Sequence, residues 1–381
     1  MDLRSHERAR QESHGLVVLA RLLALLLVAL SLAGGVAGGL LRACTAPVPD
    51  TMGAWLVSAA VYHAALMIGG FLGTVIAVER AVAVKHRMAF LAPLASSLGG
   101  MLILLSHPAA GAWLLVAASV AFIGVNIAVV RRQNASHTRL LLGGAGAWLA
   151  GNLFLAAGEV AGALPWWLSF LVATIAAERL EMTRLTRRGA EVETLLWNIM
   201  AMMLGGAALG PVSAALGGAM FGTSLVALAV WLFAFDVARR TVLADGLSRY
   251  MAVCLLTGYG WLALSGVAWV AMAFGLPTRD AALHALGLGF VVSMMMAHAP
   301  VILPAVMRIK VRFGTFFYLP LAVLNLSLAV RLGFGHANLL VRGLGALLNA
   351  VALGTFAVTI LAAAIAWRVM ENGHKTQQKA M

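Results

Sequence analysis

The stretch Trp55–Val78, WLVSAAVYHAALMIGGFLGTVIAV, contains no Asp, Glu, Lys or Arg and ends directly before Glu79-Arg80. A helix needs about 20 apolar residues to cross the hydrocarbon core of a bilayer, so this stretch is long enough for one crossing. Its apolar residues run continuously and do not alternate with polar ones, which excludes a strand of a membrane β-barrel. We therefore predict a transmembrane helix here.

The rest of the chain can be divided on the same criterion. Of its 381 residues, 62% are hydrophobic and 11% are charged, and the mean hydropathy is +0.94. This composition excludes a soluble enzyme and a disordered scaffold. We predict an all-α polytopic membrane protein with about twelve transmembrane helices. The predicted crossings are Leu16–Leu41, Trp55–Val78, Met88–Ser106, Ala109–Val130, Leu140–Ala163, Pro165–Ala177, Thr194–Gly210, Gly217–Val237, Arg249–Phe274, Asp280–Val306, Phe313–Leu332 and Leu339–Met370.

The basic residues alternate between the two sides of this predicted bundle. Most of the 27 Lys and Arg lie in the termini and in the even-numbered loops. The exceptions are Arg21 inside the first helix and four residues of the odd-numbered loops, Arg42, Arg279, Arg331 and Arg342. Because cytoplasmic loops carry the excess of Lys and Arg, both termini are predicted to be cytoplasmic. The expected location is the cell inner (cytoplasmic) membrane, crossed many times.

The same division predicts the domain organisation and the partners. Residues 1–15 form a cytoplasmic N-terminal segment, residues 16–370 a single transmembrane domain, and residues 371–381 a cytoplasmic tail. The net charge of +13 is spread over short clusters between apolar runs, without a long basic tail. Nucleic acid is therefore not an expected partner, whereas the lipid bilayer is.

Two cytoplasmic helix ends resemble one another. The second helix ends in Thr74-Val-Ile-Ala-Val-Glu79-Arg80, and the sixth ends in Thr174-Ile-Ala-Ala-Glu178-Arg179. A repeat of four helices would give three equivalent units, led by the second, sixth and tenth helices.

The charges at these ends, and Asp236 near Arg239 and Arg240, suggest ion pairing with close sequence neighbours, with a proton relay as the alternative.

Three histidines fall within predicted membrane helices: His63 in the second helix, and His284 and His298 in the tenth. At 1.5 Å per residue, His63 lies about 12 Å and His284 about 6 Å below the outer surface, and His298 lies about 21 Å deeper than His284. His284 and His298 therefore cannot bind one metal ion together. His63 and His284, at similar depth on two helices, could hold a haem iron from opposite sides. The alternative is that each histidine is hydrogen-bonded to a neighbouring helix.

These residues carry a resemblance to a known family. His63-Ala64-x-x-Met67-x-x-Gly70-Phe71, with His284-Ala285-Leu286 at the start of the tenth helix, resembles the NnrS family. Proteins of that family are twelve-helix bacterial membrane proteins associated with haem, copper and nitric-oxide stress. More remotely, the layout is similar to the catalytic subunit of haem–copper oxidases, in which histidines of helices two and ten hold a haem.

The resemblance implies a cofactor and its ligands. We expect haem b bound through His63, His284 and His298, with His63 and His284 as the ligands of the metal. A covalently attached haem is not expected, because the chain has no Cys-x-x-Cys-His motif. Copper is less expected, because the histidine of helix six and the His-His pair of the oxidases have no counterpart here.

The resemblance also implies a function. We expect a haem-binding membrane protein in respiratory redox chemistry, nitric-oxide tolerance or metalloenzyme assembly, with respiratory or denitrification proteins as partners. Two alternatives remain open. One is a secondary transporter of a small solute or metal ion, since twelve helices built from repeats are common among transporters. The other is a membrane chaperone in which the histidines are structural.

Overall fold

Twelve helices of this protein are long and apolar enough to cross a membrane, which confirms the predicted fold class. The computed structural model describes residues 3–44, 53–182, 189–307 and 309–380, and within these ranges it contains helices and no strand. We number the spans α1 to α12. They are Leu23–Cys44, Ala65–Val84, Arg87–Leu104, Pro108–Arg132, Ser136–Ala156, Val160–Met182, Ala190–Leu209, Ala214–Phe235, Gly246–Ala273, Arg279–Ala305, Thr315–Phe334 and Leu339–Glu371.

Several spans belong to longer or composite helices. Span α1 is the second half of a helix that runs Leu3–Cys44, and α12 is most of a helix that runs Leu339–Ala380. Single turns of 3₁₀-helix, Arg87–Phe90 and Thr315–Phe317, open α3 and α11, whose α-helical parts are Leu91–Leu104 and Tyr318–Phe334. A short helix, Ala238–Thr241, lies between α8 and α9.

Spans α2 and α10 each contain a π-helical segment. Span α2 is π-helical over Ala65–Gly73 and α-helical over Thr74–Val84, and the helix Ala54–Val61 precedes it. Span α10 is α-helical over Arg279–His284, π-helical over Ala285–Val292 and α-helical again over Ser293–Met307. His63 and His284 thus lie just before the two π-helical segments. Such segments are rare and are frequently found at functional sites.

The boundary between the fifth and sixth helices differs from the prediction. The fifth helix ends at Ala156, seven residues before the predicted end, because the chain turns at Gly158 with a φ of +87°. The sixth begins at Val160 and contains Pro165, which we had predicted to be its first residue. Proline is tolerated inside membrane helices when neighbouring groups satisfy the freed backbone atoms. The predicted break at Gly210-Pro211 is confirmed, since α7 ends at Leu209 and α8 begins at Ala214.

The chain divides into two compact units, and the first comprises Met1–Ala128 and Asn152–Val160. In this unit, glycines let helices approach backbone to backbone: a Cβ added at Gly38 would lie 2.1 Å from the carbonyl oxygen of Ala59. Gly70 and Gly100 meet in the same way beside Ser31. Close contact through small residues is the usual way in which membrane helices associate.

The second unit comprises Val129–Gly151 and Ala161–Met381. Here α8 packs on α9 at Gly222 and Gly266, where a Cβ added to either glycine would lie 2.6 Å from the carbonyl oxygen of the other. Trp148 and Phe170, both fully buried, stack with their ring centroids 5.0 Å apart. His63 belongs to the first unit and His284 and His298 to the second, so the predicted haem clamp of His63 and His284 stays a prediction.

Candidate functional site

His63 lies between the helix Ala54–Val61 and the π-helical segment of α2. Its Nδ1 is 2.6 Å from the backbone carbonyl oxygen of Gly35 on α1. A carbonyl oxygen only accepts hydrogen bonds, so Nδ1 carries the proton, and in the neutral ring Nε2 carries the lone pair. The ring also packs on Gly39, where an added Cβ would lie 2.7 Å from Cε1 of His63. Two glycines of α1 therefore fix the tautomer and the position of this imidazole.

His284 belongs to a cluster that we call the Asp280 cluster, formed by Asp280, His284 and Arg331. Oδ1 of Asp280 lies 2.8 Å from Nδ1 of His284 and accepts from Nη2 of Arg331 at 2.7 Å. Oδ2 of Asp280 accepts from Nε of Arg331 at 3.0 Å, so the guanidinium binds the carboxylate through two hydrogen bonds. Arg331 is buried, whereas Asp280 and His284 are partly exposed. Nδ1 of His284 is protonated by the same argument as for His63.

The guanidinium of Arg331 also lies near the ring of His284. Its Nη2 is 3.4 Å from both ring nitrogens, so the guanidinium contacts the imidazole without favouring one nitrogen. Behind Arg331, the amide of Asn349 lies 2.7 Å from Oγ of Ser327. Spans α10, α11 and α12 are thus joined by polar contacts at this end of the second unit.

His298 belongs to a different cluster, the Asp236 cluster, formed by Arg179, Asp236 and His298. Nε of Arg179 donates to Oδ2 of Asp236 at 2.8 Å, and Oδ1 of Asp236 accepts from the amide of Ala238 at 2.7 Å. The Arg179 and Asp236 side chains are only 3% and 1% exposed. Burying two charges in this way is expensive unless each is paired and hydrogen-bonded, as both are here.

The contacts of His298 assign both of its nitrogens. Nδ1 lies 2.7 Å from the carbonyl oxygen of Met294, so it carries the proton. Nε2 lies 3.3 Å from Nη1 of Arg179, which can only donate, so Nε2 is the acceptor. The lone pair that a haem iron would need is therefore engaged by Arg179. Nε2 of His284 likewise lies 3.4 Å from Nη2 of Arg331, so an arginine contact at Nε2 is common to both histidines of α10.

Sequence reasoning found the three histidines but not their partners. For Asp236 we predicted ion pairing with a close neighbour such as Arg239 or Arg240, and this was wrong: its partner is Arg179, 57 residues earlier. The sequence did contain one indication of this pair, the predicted depth of the two residues in the membrane. Arg179 and Asp236 each end an apolar segment on the same predicted side. Arg331 lies in the last turn of α11, within the predicted crossing Phe313–Leu332, and is buried, although we counted its charge with the loop that follows. Glu79 and Arg80 do form the expected neighbouring pair, at 3.8 Å.

Two of the described histidines have the hydrogen bonding that is typical of an axial haem ligand. Within the described ranges, no three His, Cys, Asp or Glu side chains come together as ligands of a metal ion. A haem iron needs only one or two axial imidazoles. His63 fits this role, because ligating histidines typically donate their other N–H to a carbonyl or carboxylate, as Nδ1 of His63 does. His284, with Nδ1 on the Asp280 carboxylate, fits it as well.

The comparison with known proteins gives the family of this chain. The family model described as "Domain of unknown function (DUF8744)" matches residues 21–365, so the chain belongs to this family. The matched region includes His63, the Asp280 cluster and the Asp236 cluster. No curated protein and no solved structure matches the chain.

Proposed function

We propose that this member of the DUF8744 family is a haem-binding membrane protein of the NnrS-like type, acting in respiratory redox chemistry, nitric-oxide tolerance or metalloenzyme assembly. The observation that carries the proposal is the hydrogen bond from Nδ1 of His63 to the Gly35 carbonyl, 2.6 Å long, which leaves the lone pair on Nε2. The resemblance of the sequence around His63 and His284 to the NnrS family supports the same function.

In this proposal, His63 and His284 hold haem b through Nε2. The Gly35 carbonyl and the Asp280 carboxylate fix the two imidazoles and raise their basicity as ligands. Gly39 keeps space beside the His63 ring that any side chain would fill. A haem held by both imidazoles would supply an iron that can change its redox state.

The proposal includes a location and partners. The protein lies in the inner (cytoplasmic) membrane with both termini in the cytoplasm, as the distribution of Lys and Arg supports. Respiratory or denitrification proteins of the same membrane are the proposed partners, since a redox or assembly role needs one. Copper is not part of the proposal.

The absorption spectrum of the protein, purified in detergent from haem-replete cells, tests the proposal. We expect a Soret band that His63→Ala and His284→Ala each abolish or shift, and that His298→Ala affects less. His107→Ala is the matched control, because His107 is exposed outside the spans and should leave the band unchanged. Full haem occupancy in the His63→Ala, His284→Ala double variant would rule out these ligands.

The two clusters favour one alternative, a secondary transporter of a small solute or metal ion. Ionisable groups within membrane spans mark ion and proton pathways in many transporters. Span α10 carries a histidine of each cluster, and each cluster joins that histidine to an Asp–Arg pair. Under this alternative the purified protein has no Soret band. In liposomes with an internal pH dye, it would couple Mn²⁺ entry to proton movement, and Asp280→Asn would abolish the coupling.

A further inference from the structure

A cavity of about 310 Å³ opens in the second unit where two spans begin. Its walls come from the first turns of α9 and α11 and from the residues directly before them. The lining residues are Asp245, Gly246, Arg249, Val253, Phe313, Thr315 and Tyr318. Since Gly246 and Thr315 are the first residues of their spans, and both spans are odd-numbered, the cavity lies at one surface of the membrane. Small-molecule pockets begin at about this volume, so the cavity suits a compact group.

The two charged residues of the cavity have opposite signs and are not used elsewhere. Asp245 precedes the helix of α9 but makes no capping hydrogen bond to it. Arg249 lies one turn further along the helix. Asp245 and Arg249 are both exposed, and within the described ranges neither forms an ion pair or a side-chain hydrogen bond. A carboxylate and a guanidinium that share a cavity without pairing are suited to a ligand that carries both charges.

The remaining lining residues divide into hydroxyl groups and an apolar wall. Thr315 and Tyr318 contribute hydroxyl groups, and Val253 and Phe313 contribute apolar surface. The aromatic wall is well supported, because the fully buried ring of Tyr250 lies 5.5 Å from that of Phe313 and 5.2 Å from that of Tyr318. We propose that the cavity binds the phosphoethanolamine head group of a membrane phospholipid, with the phosphate on Arg249 and Thr315 and the ammonium on Asp245.

The surroundings of the cavity favour a lipid over a soluble zwitterion. Large apolar side chains next to the lining residues are exposed: Leu243 is 88%, Leu319 58% and Phe316 45% exposed. Apolar and aromatic residues at the ends of spans contact the interface between head groups and acyl chains. A head group in the cavity would therefore place its acyl chains against these side chains. This proposal does not depend on haem binding.

Native mass spectrometry of the detergent-purified full-length protein tests the proposal. We expect one bound phosphatidylethanolamine per chain at concentrations at which phosphatidylglycerol, which lacks the ammonium, is not retained. Losing the charged hydrogen bonds of Arg249 in Arg249→Gln should weaken phosphatidylethanolamine binding by about tenfold. Asp245→Asn should remove the preference for phosphatidylethanolamine over phosphatidylglycerol. Arg312→Gln is the matched control, since Arg312 is exposed nearby but does not line the cavity.

Three outcomes would overturn the proposal. If Arg312→Gln weakens binding as much as Arg249→Gln, the attraction is a general effect of surface charge. If the unmodified protein retains phosphatidylglycerol equally well, the cavity does not recognise a zwitterion. If free phosphoethanolamine displaces the lipid at equal concentration, the ligand is soluble. Asp245→Asn changes a different side chain without altering its size, so the test stands even if Arg249→Gln fails to fold.

Discussion

At the scale of single residues, the burial of the Arg179–Asp236 ion pair makes the stability of the fold sensitive to the loss of either partner. Both side chains are almost completely removed from solvent, and Asp236 also accepts a hydrogen bond from the amide of Ala238. A buried pair contributes little compared with an apolar pair of the same volume, but removing one partner leaves an uncompensated charge. Asp236 therefore holds Arg179 in place, and Arg179 in turn holds the imidazole of His298.

We expect Asp236→Ala to destabilise the purified protein by about 3–5 kcal/mol, because Arg179 would stay buried without a counter-charge. The thermal unfolding midpoint in detergent measures the effect. Glu191→Ala is the control: Glu191 is exposed in the first turn of α7, so its loss should change stability by less than about 1 kcal/mol. Equal midpoints for the two variants would show that the ion pair does not stabilise the fold.

Only part of the candidate site could be predicted from the sequence. His63, His284 and His298 could be singled out because a polar side chain within an apolar span is conspicuous. Their partners could not be named. The carbonyl of Gly35 has no signature in the sequence, and the contact of Arg179 with Asp236 joins segments 57 residues apart. Such contacts depend on how the helices pack, which hydropathy alone does not determine.

At the scale of elements, glycine positions determine which helices touch. The chain has 40 glycines, and sequence alone predicts that they serve close packing in general. In the structure, the glycines differ in how closely other atoms approach them. A Cβ at Gly38 would overlap the backbone of Ala59, whereas a Cβ at Gly124 on α4 would meet no atom within 4 Å. The two π-helical segments were not predicted, because their sequences are as apolar as those of the α-helical spans around them.

This difference between glycines gives a prediction. Gly38→Ala should destabilise the protein by about 1–3 kcal/mol, because the added methyl group forces α1 away from the helix Ala54–Val61. Gly124→Ala should leave stability unchanged or raise it by up to about 1 kcal/mol, since alanine is the better helix former. Thermal unfolding of both variants in the same detergent makes the comparison. A Gly38→Ala protein as stable as the unmodified one would contradict the close helix contact.

At the scale of the whole molecule, twelve spans could be predicted because the length and hydropathy of a segment decide whether it can cross the bilayer, whatever its neighbours do. The structure also shows which of the basic residues used for the orientation are engaged within the protein. Of the four basic residues assigned to odd-numbered loops, Arg331 is buried in α11 and bound to Asp280, and Arg42 donates to the carbonyl of Ala60 at 3.2 Å. On the other side Arg179 and Arg80 are likewise paired, with Asp236 and Glu79, so discounting engaged arginines lowers both counts and the orientation stays a prediction.

Reporter fusions along the chain test this orientation. A reporter active only in the cytoplasm should be active after Arg132, Arg240 and Arg312, which follow even-numbered spans, and inactive after Pro108 and Pro277, which follow odd-numbered spans. The physical reason is that Lys and Arg near span ends are retained on the cytoplasmic side, and an even number of spans returns the chain to the side on which it began. Pro277 is the most informative position, because it lies between α9 and the first residue of α10, directly before the Asp280 cluster. A cytoplasmic signal at Pro277 would break the alternation of twelve spans and would place the Asp280 cluster and His284 at the inner surface, against the depth assigned to His284 as a haem ligand.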